Sequence, residues 1–305
     1  MRVLVVGAGA VGGYFGARLV EAGRDVTFLV RPARRDKLLE TGLVVKSTNG
    51  DFTIAPQLIA SQEIARPYDL VILSCKAYDL DSAMDSLAAA VGPDTTVLPL
   101  LNGMAHLDKL IARFGAEKVL GGFCNIGVTL GAEGEVIEFN KMCVLSFGER
   151  DGQMSPRVQA IADLMKPASF ISRASAVIVQ EMWEKWIFLS SLAGLTCLMR
   201  ATVGDIARVG GADVALSFFE EVQAVATREG HPARPEEVEK IRQRLTDPAS
   251  ILSASMMRDA EAKGRVEVEQ ILGDLLRRGE GLPLPHLKLA YLNLQAYLAR
   301  RAREG

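Results

Sequence analysis

Gly7, Gly9 and Gly12 stand at G-x-G-x-x-G spacing within "VLVVGAGAVGGYFGARL", between a run of apolar β-branched residues and a run with helical periodicity. The spacing suits an anion. Gly7 permits a tight turn, Gly9 lets the backbone approach a pyrophosphate, and Gly12 allows close packing of helix on strand, so that the anion rests on the helix N-terminus. The motif is weak alone but strong between a strand and a helix, the context present here. Some 20 residues on, an acidic residue would serve a ribose 2'-hydroxyl, yet the strand "DVTFLVRPARR" ends in Arg31, with Arg34 and Arg35 close behind. A guanidinium there matches a 2'-phosphate, which favours NADP over NAD. Asp25 lies at the wrong end of the strand. The alternative reading of Arg31 is a solvated charge at a helix start.

Two further polar residues end apolar runs. "VILSCKA" leads into Lys76 and "VLPLLNG" into Asn102 and Gly103. In an open parallel sheet the ligand lies outside the carboxyl ends of the strands, which directs both toward one crevice. Lys76 could pair with a phosphate or hold substrate, and Asn102 could offer its amide to a substrate hydroxyl or to a nicotinamide. A surface lysine and an ordinary Asn-Gly turn explain them as well.

Far along the chain, "EMWEKWIFLSS" places Lys185 between Trp183 and Trp186. At 100° per residue Glu181, Glu184 and Lys185 share a polar stripe that continues as Phe188, Leu192 and Leu195. Lys185 therefore stands where a polar face turns apolar, a position for a partly desolvated ammonium able to donate a proton. The alternative is an exposed pair between Glu181 and Lys185 at i,i+4 spacing, worth about 0.2 to 0.5 kcal/mol.

The elements that must position these residues follow from composition and period. A chain of 305 residues exceeds one ordinary core, and 49% hydrophobic with 24% charged residues is the balance of a well-packed globular protein. A net charge of −2 supplies no basic field for nucleic acid. The apolar N-terminus is cut by glycines and carries Arg18, so it reads as a strand entering a helix and not as a leader; no long apolar run marks a membrane span. Four scattered cysteines fit reduced thiols in a cytoplasm, and three histidines without ligand spacing offer neither a metal site nor a nucleophile triad.

From Met1 to about Gly148, strands alternate with helices, which implies a parallel sheet. The glycine-rich run "NIGVTLGAEGEVIEFNKMCVLSFGE" predicts antiparallel, hairpin-like strands closing that sheet. Beyond about Val177 the chain reads as nearly all helix, with segments near 177–199, 202–208, 213–229, 235–245, 250–263, 266–279 and 285–302. The expected class is α/β: a Rossmann-type doubly wound sheet over 1–171, then an all-helical domain over 172–305. Oligomeric state stays open, because the apolar helical half can supply a homodimer surface while Trp183, Trp186, Leu216 and Phe218 serve equally as core.

The stretches "GAGAVGGYFGARL", Arg31 after the second strand, "CKAYDLD", "LNG", "NIGVT", "WEKW" and "SASMMRDAEAKGRVEVEQILG" follow in an order that resembles the ketopantoate reductases (2-dehydropantoate 2-reductases) over essentially the whole chain. The resemblance implies a Rossmann domain and a helical domain with the site in the cleft between them, and NADPH as hydride donor. It implies Lys185 as catalytic general acid and Glu267 beside cofactor ribose and substrate. Ser255 and Asn102 would bind substrate, and Arg31 the 2'-phosphate. Independently, Glu267 follows the helix break at Gly264 and is expected in the first turn of the next helix, where the dipole favours a carboxylate, with Asp259 and Glu269 as competitors.

One departure bears on the substrate. The family usually carries an asparagine one turn after the lysine and another four residues later; here those positions are Leu189 and Ala193. Losing such an amide costs roughly 1 to 3 kcal/mol of binding unless Ser190, Ser191 or a water substitutes. The expected activity is NADPH-dependent reduction of 2-dehydropantoate to pantoate. The alternatives are a different 2-oxoacid or 3-hydroxyacid, or an NADP-binding protein without the chemistry.

Overall fold

Strands β1 (Val3–Val6), β2 (Val26–Leu29), β6 (Leu70–Leu73) and β7 (Thr96–Pro99) are buried along their whole length. Runs of this kind, apolar except for Thr27 and Thr96, are what a sheet covered on both faces demands. In the computed structural model, which describes residues 1–140 and 142–304, they form with β5 (Gln57–Ile59) one parallel sheet ordered β5-β2-β1-β6-β7. Val3 pairs with Val26 on one side and Leu70 on the other, so the strand order reverses at β1. That reversal is the switch point where doubly wound sheets take ligands. Helices α1 (Ala10–Glu21), α2 (Pro32–Thr41), α3 (Leu80–Leu87), α4 (Ala105–Phe114) and α5 (Pro156–Met165) follow strands of this half.

The glycine-rich strands do not close the parallel sheet as expected. β9 (Val128–Leu130) and β10 (Val136–Glu138) form the hairpin, but β10 pairs with β3 (Leu43–Lys46) in a separate sheet ordered β4-β3-β10-β9, where β4 is Phe52–Ile54. β8 (Gly121–Asn125) and β11 (Val144–Gly148) pair antiparallel in a third sheet with β12 (Ile171–Ala174). The cause is packing. Val136 is fully buried against α1, where a Cβ on Gly13 would come within 2.8 Å of its methyl group, so the hairpin covers the helix instead of extending the sheet.

Contacts divide the chain into Met1–Leu101 with His106–Val179, and Asn102–Ala105 with Gln180–Gly305. The second unit carries α6 (Ile178–Met199), α7 (Val203–Arg208), α8 (Ala212–Arg228), α9 (Pro235–Thr246) and α10 (Ser255–Glu261). A π turn (Glu269–Gly273), α11 (Asp274–Arg278) and α12 (Pro285–Glu304) complete it. Trp183, Trp186 and Phe218 are core. Residues 250–254, expected in a helix, are non-helical, because the carbonyls of Ser250 and Leu252 accept from the N–H groups of Gly204 and Val203 and so satisfy the first turn of α7. Glu221 does the same for α12, accepting from the N–H groups of His286 (3.0 Å) and Leu287 (2.9 Å). Among the described residues no helix is long and apolar enough to cross a membrane.

Candidate active site

The glycine loop divides its labour. Gly7 takes φ +91°, a left-handed value, and no atom lies within 4 Å of where a Cβ on Gly7 or Gly9 would sit. Gly9 precedes α1 without any side-chain cap, and the first turn holds no acid, so the helix N-terminus is left with its N–H groups and its partial positive charge. A Cβ on Gly12, by contrast, would stand 2.4 Å from the Gly7 carbonyl oxygen and 2.3 Å from Ser74 Oγ. Gly9 thus keeps space for an incoming group and Gly12 closes helix onto strand, the arrangement a dinucleotide pyrophosphate requires.

The three arginines after β2 part ways. Arg31, just ahead of α2, leaves its side chain 70% exposed, 3.4 Å from Asp79 Oδ2. Arg35 gives both its hydrogen bonds to Glu63, each at 2.9 Å. Arg34 donates its Nε to the Ala8 carbonyl of the glycine loop at 3.1 Å, and burial pushes its pKa down. Arg31 is therefore the one with an accessible guanidinium, as a 2'-phosphate site at this position requires. Lys76, also exposed, follows β6 and leads into the 3-10 turn Ala77–Asp79 at the carboxyl end of the sheet.

The other candidates sit in the helical unit. Asn102 follows β7, yet it packs with the helices. There Lys185 Nζ donates to Asn102 Oδ1 at 3.1 Å. The Asn102 carbonyl accepts from Gln270 Nε2 at 2.7 Å, and Gly103 takes φ +75°, which makes the turn a glycine position. Lys185 is half-buried on α6, between the fully buried Trp183 and Trp186. Its neighbour Glu184 does not share an exposed polar stripe: it is buried and receives Arg234 Nε at 2.7 Å, Arg234 Nη2 at 2.6 Å and the Arg234 N–H at 3.0 Å. Burial raises the Glu184 carboxyl, and the Arg234 and Gln180 hydrogen bonds outweigh it, leaving the group below the usual carboxylate range.

Glu267 is buried just ahead of the π turn, with its carbonyl accepting from the Ile271 N–H at 3.0 Å. It stands at the entry to the helix and not within its first turn, since the chain from Ala262 to Glu267 is non-helical. The competitor Glu269 is exposed and accepts from Tyr291 Oη at 2.8 Å, so Glu267 is the buried carboxylate of the two. Ser255 is exposed as the first residue of α10, whose start is tied to α6 by the Ala254 N–H donating to Thr196 Oγ1 at 3.3 Å. Ser190 and Ser191 donate their hydroxyls back to the Trp186 and Ile187 carbonyls of their own helix, at 2.7 and 2.8 Å, and so do not replace the amide missing at Leu189. Leu189 itself is half-buried, one turn beyond Lys185.

Two residues of this site were not foreseen from the sequence: Gln270, which reaches Asn102 across the fold, and Arg234, which holds Glu184. Polar residues on amphipathic segments carry no local mark of a long-range partner; only "EQIL", a polar residue at a position about to be buried, hinted at the first.

Two halves with this order of elements and this loop have known counterparts. Residues 3–152 match the family described as Ketopantoate reductase PanE/ApbA, and residues 177–298 match its C-terminal counterpart. The chain belongs to the ketopantoate reductase family. It is an oxidoreductase, with a Rossmann-type parallel sheet followed by a helical region. It is 35% identical over 304 residues to an uncharacterized oxidoreductase, YkpB, of Bacillus subtilis (strain 168), covering 99% of this chain and 100% of that one. A 2-dehydropantoate 2-reductase of Geobacter metallireducens GS-15 superposes with TM-score 0.87 at 27% identity, over 97% of this chain and 99% of the other. A D-mandelate dehydrogenase bound to NADH and anilino(oxo)acetate shares the fold with TM-score 0.89 at 21% identity, over 99% of each chain.

Proposed function

We propose that this protein reduces the ketone of a 2-oxoacid with NADPH, and that 2-dehydropantoate, giving pantoate, is its substrate. The observation that carries the reading is the hydrogen bond from Lys185 Nζ to Asn102 Oδ1, which aims an ammonium from a largely apolar helix. When bound, the nicotinamide supplies a hydride to the C2 carbon. Lys185 stabilises the oxygen as charge grows on it and donates the proton that completes the alcohol. Asn102 and Ser255 orient the substrate, and the buried Glu267 holds the cofactor ribose and balances the cation. Gly7, Gly9 and the uncapped start of α1 take the pyrophosphate; Arg31 and Lys76 are the cations for the remaining phosphate charge.

A second reading, reduction of a 2-oxoacid with a more apolar substituent, is favoured by Leu189 and by the inward-turned hydroxyls of Ser190 and Ser191. Steady-state kinetics over 2-dehydropantoate and a panel of branched and aromatic 2-oxoacids separates the two. A kcat/KM for 2-dehydropantoate well above the others supports the first reading; a value no better than its analogues supports the second. No NADPH oxidation with any of them refutes both.

A further inference from the structure

We infer that Gln270 is a positioning residue for the reaction: from the π turn it fixes the Asn102 amide against the Lys185 ammonium. The inference rests on the reading of Lys185 as proton donor. A π turn widens the helix by one residue and breaks the regular pairing of its carbonyls, and such turns recur at functional sites. Here the Ile271 carbonyl accepts from Trp186 Nε1 at 3.1 Å. Trp186 follows Lys185 directly, so the turn is docked on the helix that carries the proton donor.

From the same turn the buried Gln270 sends its Nε2 to the Asn102 carbonyl, and its own carbonyl lies where a Cβ on Gly103 would come within 2.7 Å. Both residues of the Asn102–Gly103 turn are thereby held against one residue, Gln270. The Asn102 amide oxygen then meets Lys185 at 3.1 Å. The chain of contacts closes on itself: α6 holds the π turn, the π turn holds Asn102, and Asn102 holds the side chain that α6 projects. Without the Gln270 donor the Asn102 carbonyl loses this grip and the turn can drift. A displacement of an ångström in such a constellation costs about a hundredfold in rate.

The test compares the parent enzyme with Gln270→Leu, Gln270→Glu, Asn102→Ala and the Gln270→Leu/Asn102→Ala double variant, on a 2-oxoacid the parent reduces, with melting temperature recorded alongside. Gln270→Leu is expected to lower kcat/KM by about tenfold or more, chiefly in kcat. The same change is expected to do little once Asn102 is already alanine, because the two act through one contact. The carboxylate introduced by Gln270→Glu has the shape but no proton to donate at neutral pH, so this variant regains activity relative to the parent as acid protonates it. Parent-level kcat/KM in Gln270→Leu, a loss that simply multiplies with that of Asn102→Ala, or a Gln270→Glu pH profile parallel to the parent's overturns the inference. If Gln270→Leu does not fold, the Gln270→Glu profile decides alone. A Lys185→Ala enzyme that keeps its turnover overturns the underlying reading instead.

Discussion

Lys185 and Asn102 are 83 positions apart in the chain and share a hydrogen bond of 3.1 Å. An ammonium on this helix has three protons to donate and no lone pair with which to accept. The Asn102 amide oxygen accepts one of them without itself adding a negative charge.

Lys185→Ala is expected to reduce kcat by about 10²- to 10⁴-fold, the usual contribution of a positioned acid. NADPH affinity, read by quenching of protein fluorescence, is expected to stay close to that of the parent. An active Lys185→Ala enzyme, or one whose defect is lost cofactor binding, would remove the lysine from the chemistry.

Gly9→Ala and Gly12→Ala are expected to fail differently. Nothing stands within 4 Å of a Cβ on Gly9, so Gly9→Ala keeps the melting temperature and weakens dinucleotide binding. Gly12→Ala drives a methyl group into the Gly7 carbonyl and is expected to cost about 1 to 3 kcal/mol of stability, seen in denaturant unfolding. Equal stability losses in the two variants would remove Gly9 from the phosphate site.

Arg31→Ala is expected to weaken NADPH binding well beyond NADH binding, since only the former presents a 2'-phosphate. Asp79 competes for the same guanidinium through a pair whose arginine is largely exposed, worth about 0 to 1 kcal/mol. Asp79→Asn is therefore expected to tighten NADPH by up to about fivefold and leave NADH nearly unchanged. Calorimetric titration of both cofactors on both variants checks this, and equal effects on the two cofactors would count against a 2'-phosphate at Arg31.

The buried Glu184 carboxylate sets an acid limit on stability. Its folded pKa is depressed below the ordinary 4.5 by Arg234 and Gln180, against the opposing effect of burial. A depressed carboxylate contributes stability that is present above its unfolded pKa and lost as pH falls through the folded one. Melting temperature is expected to fall as pH drops below about 4.5, and the slope is expected to be shallower in Glu184→Gln, which starts from a lower melting temperature at neutral pH. Superimposable acid slopes in parent and Glu184→Gln would separate this ion pair from acid stability.

The parallel sheet was legible because β1, β2, β6 and β7 are buried on both faces and so write runs that are apolar except for Thr27 and Thr96, and because Gly7, Gly9 and Gly12 sit at a fixed spacing beside one of them. Helix starts at Pro32, Pro235 and Pro285 were legible for a similar local reason: a proline at the first turn costs no hydrogen bond. What escaped depends on partners distant in sequence. The pairing of β10 with β3 turns on Val136 finding α1, and nothing in "GEVIEF" names that helix. The non-helical course of 250–254 is dictated by the N–H groups of Val203 and Gly204 at the start of α7, and not by its own composition. Glu184 was legible only as part of a polar stripe with Glu181 and Lys185, because Arg234, 50 positions away, leaves no trace in the local period.

The four residues Asn102–Ala105 leave the first unit to pack with the second, and His106 returns to the first. The polypeptide cannot therefore be dissected into a nucleotide-binding fragment and a helical fragment that each keep a whole set of functional groups. Any single break along the connection after β12 assigns Asn102 to one product and Lys185 to the other. Complementation of two such fragments would have to restore this excursion before the contact between Lys185 and Asn102 could form.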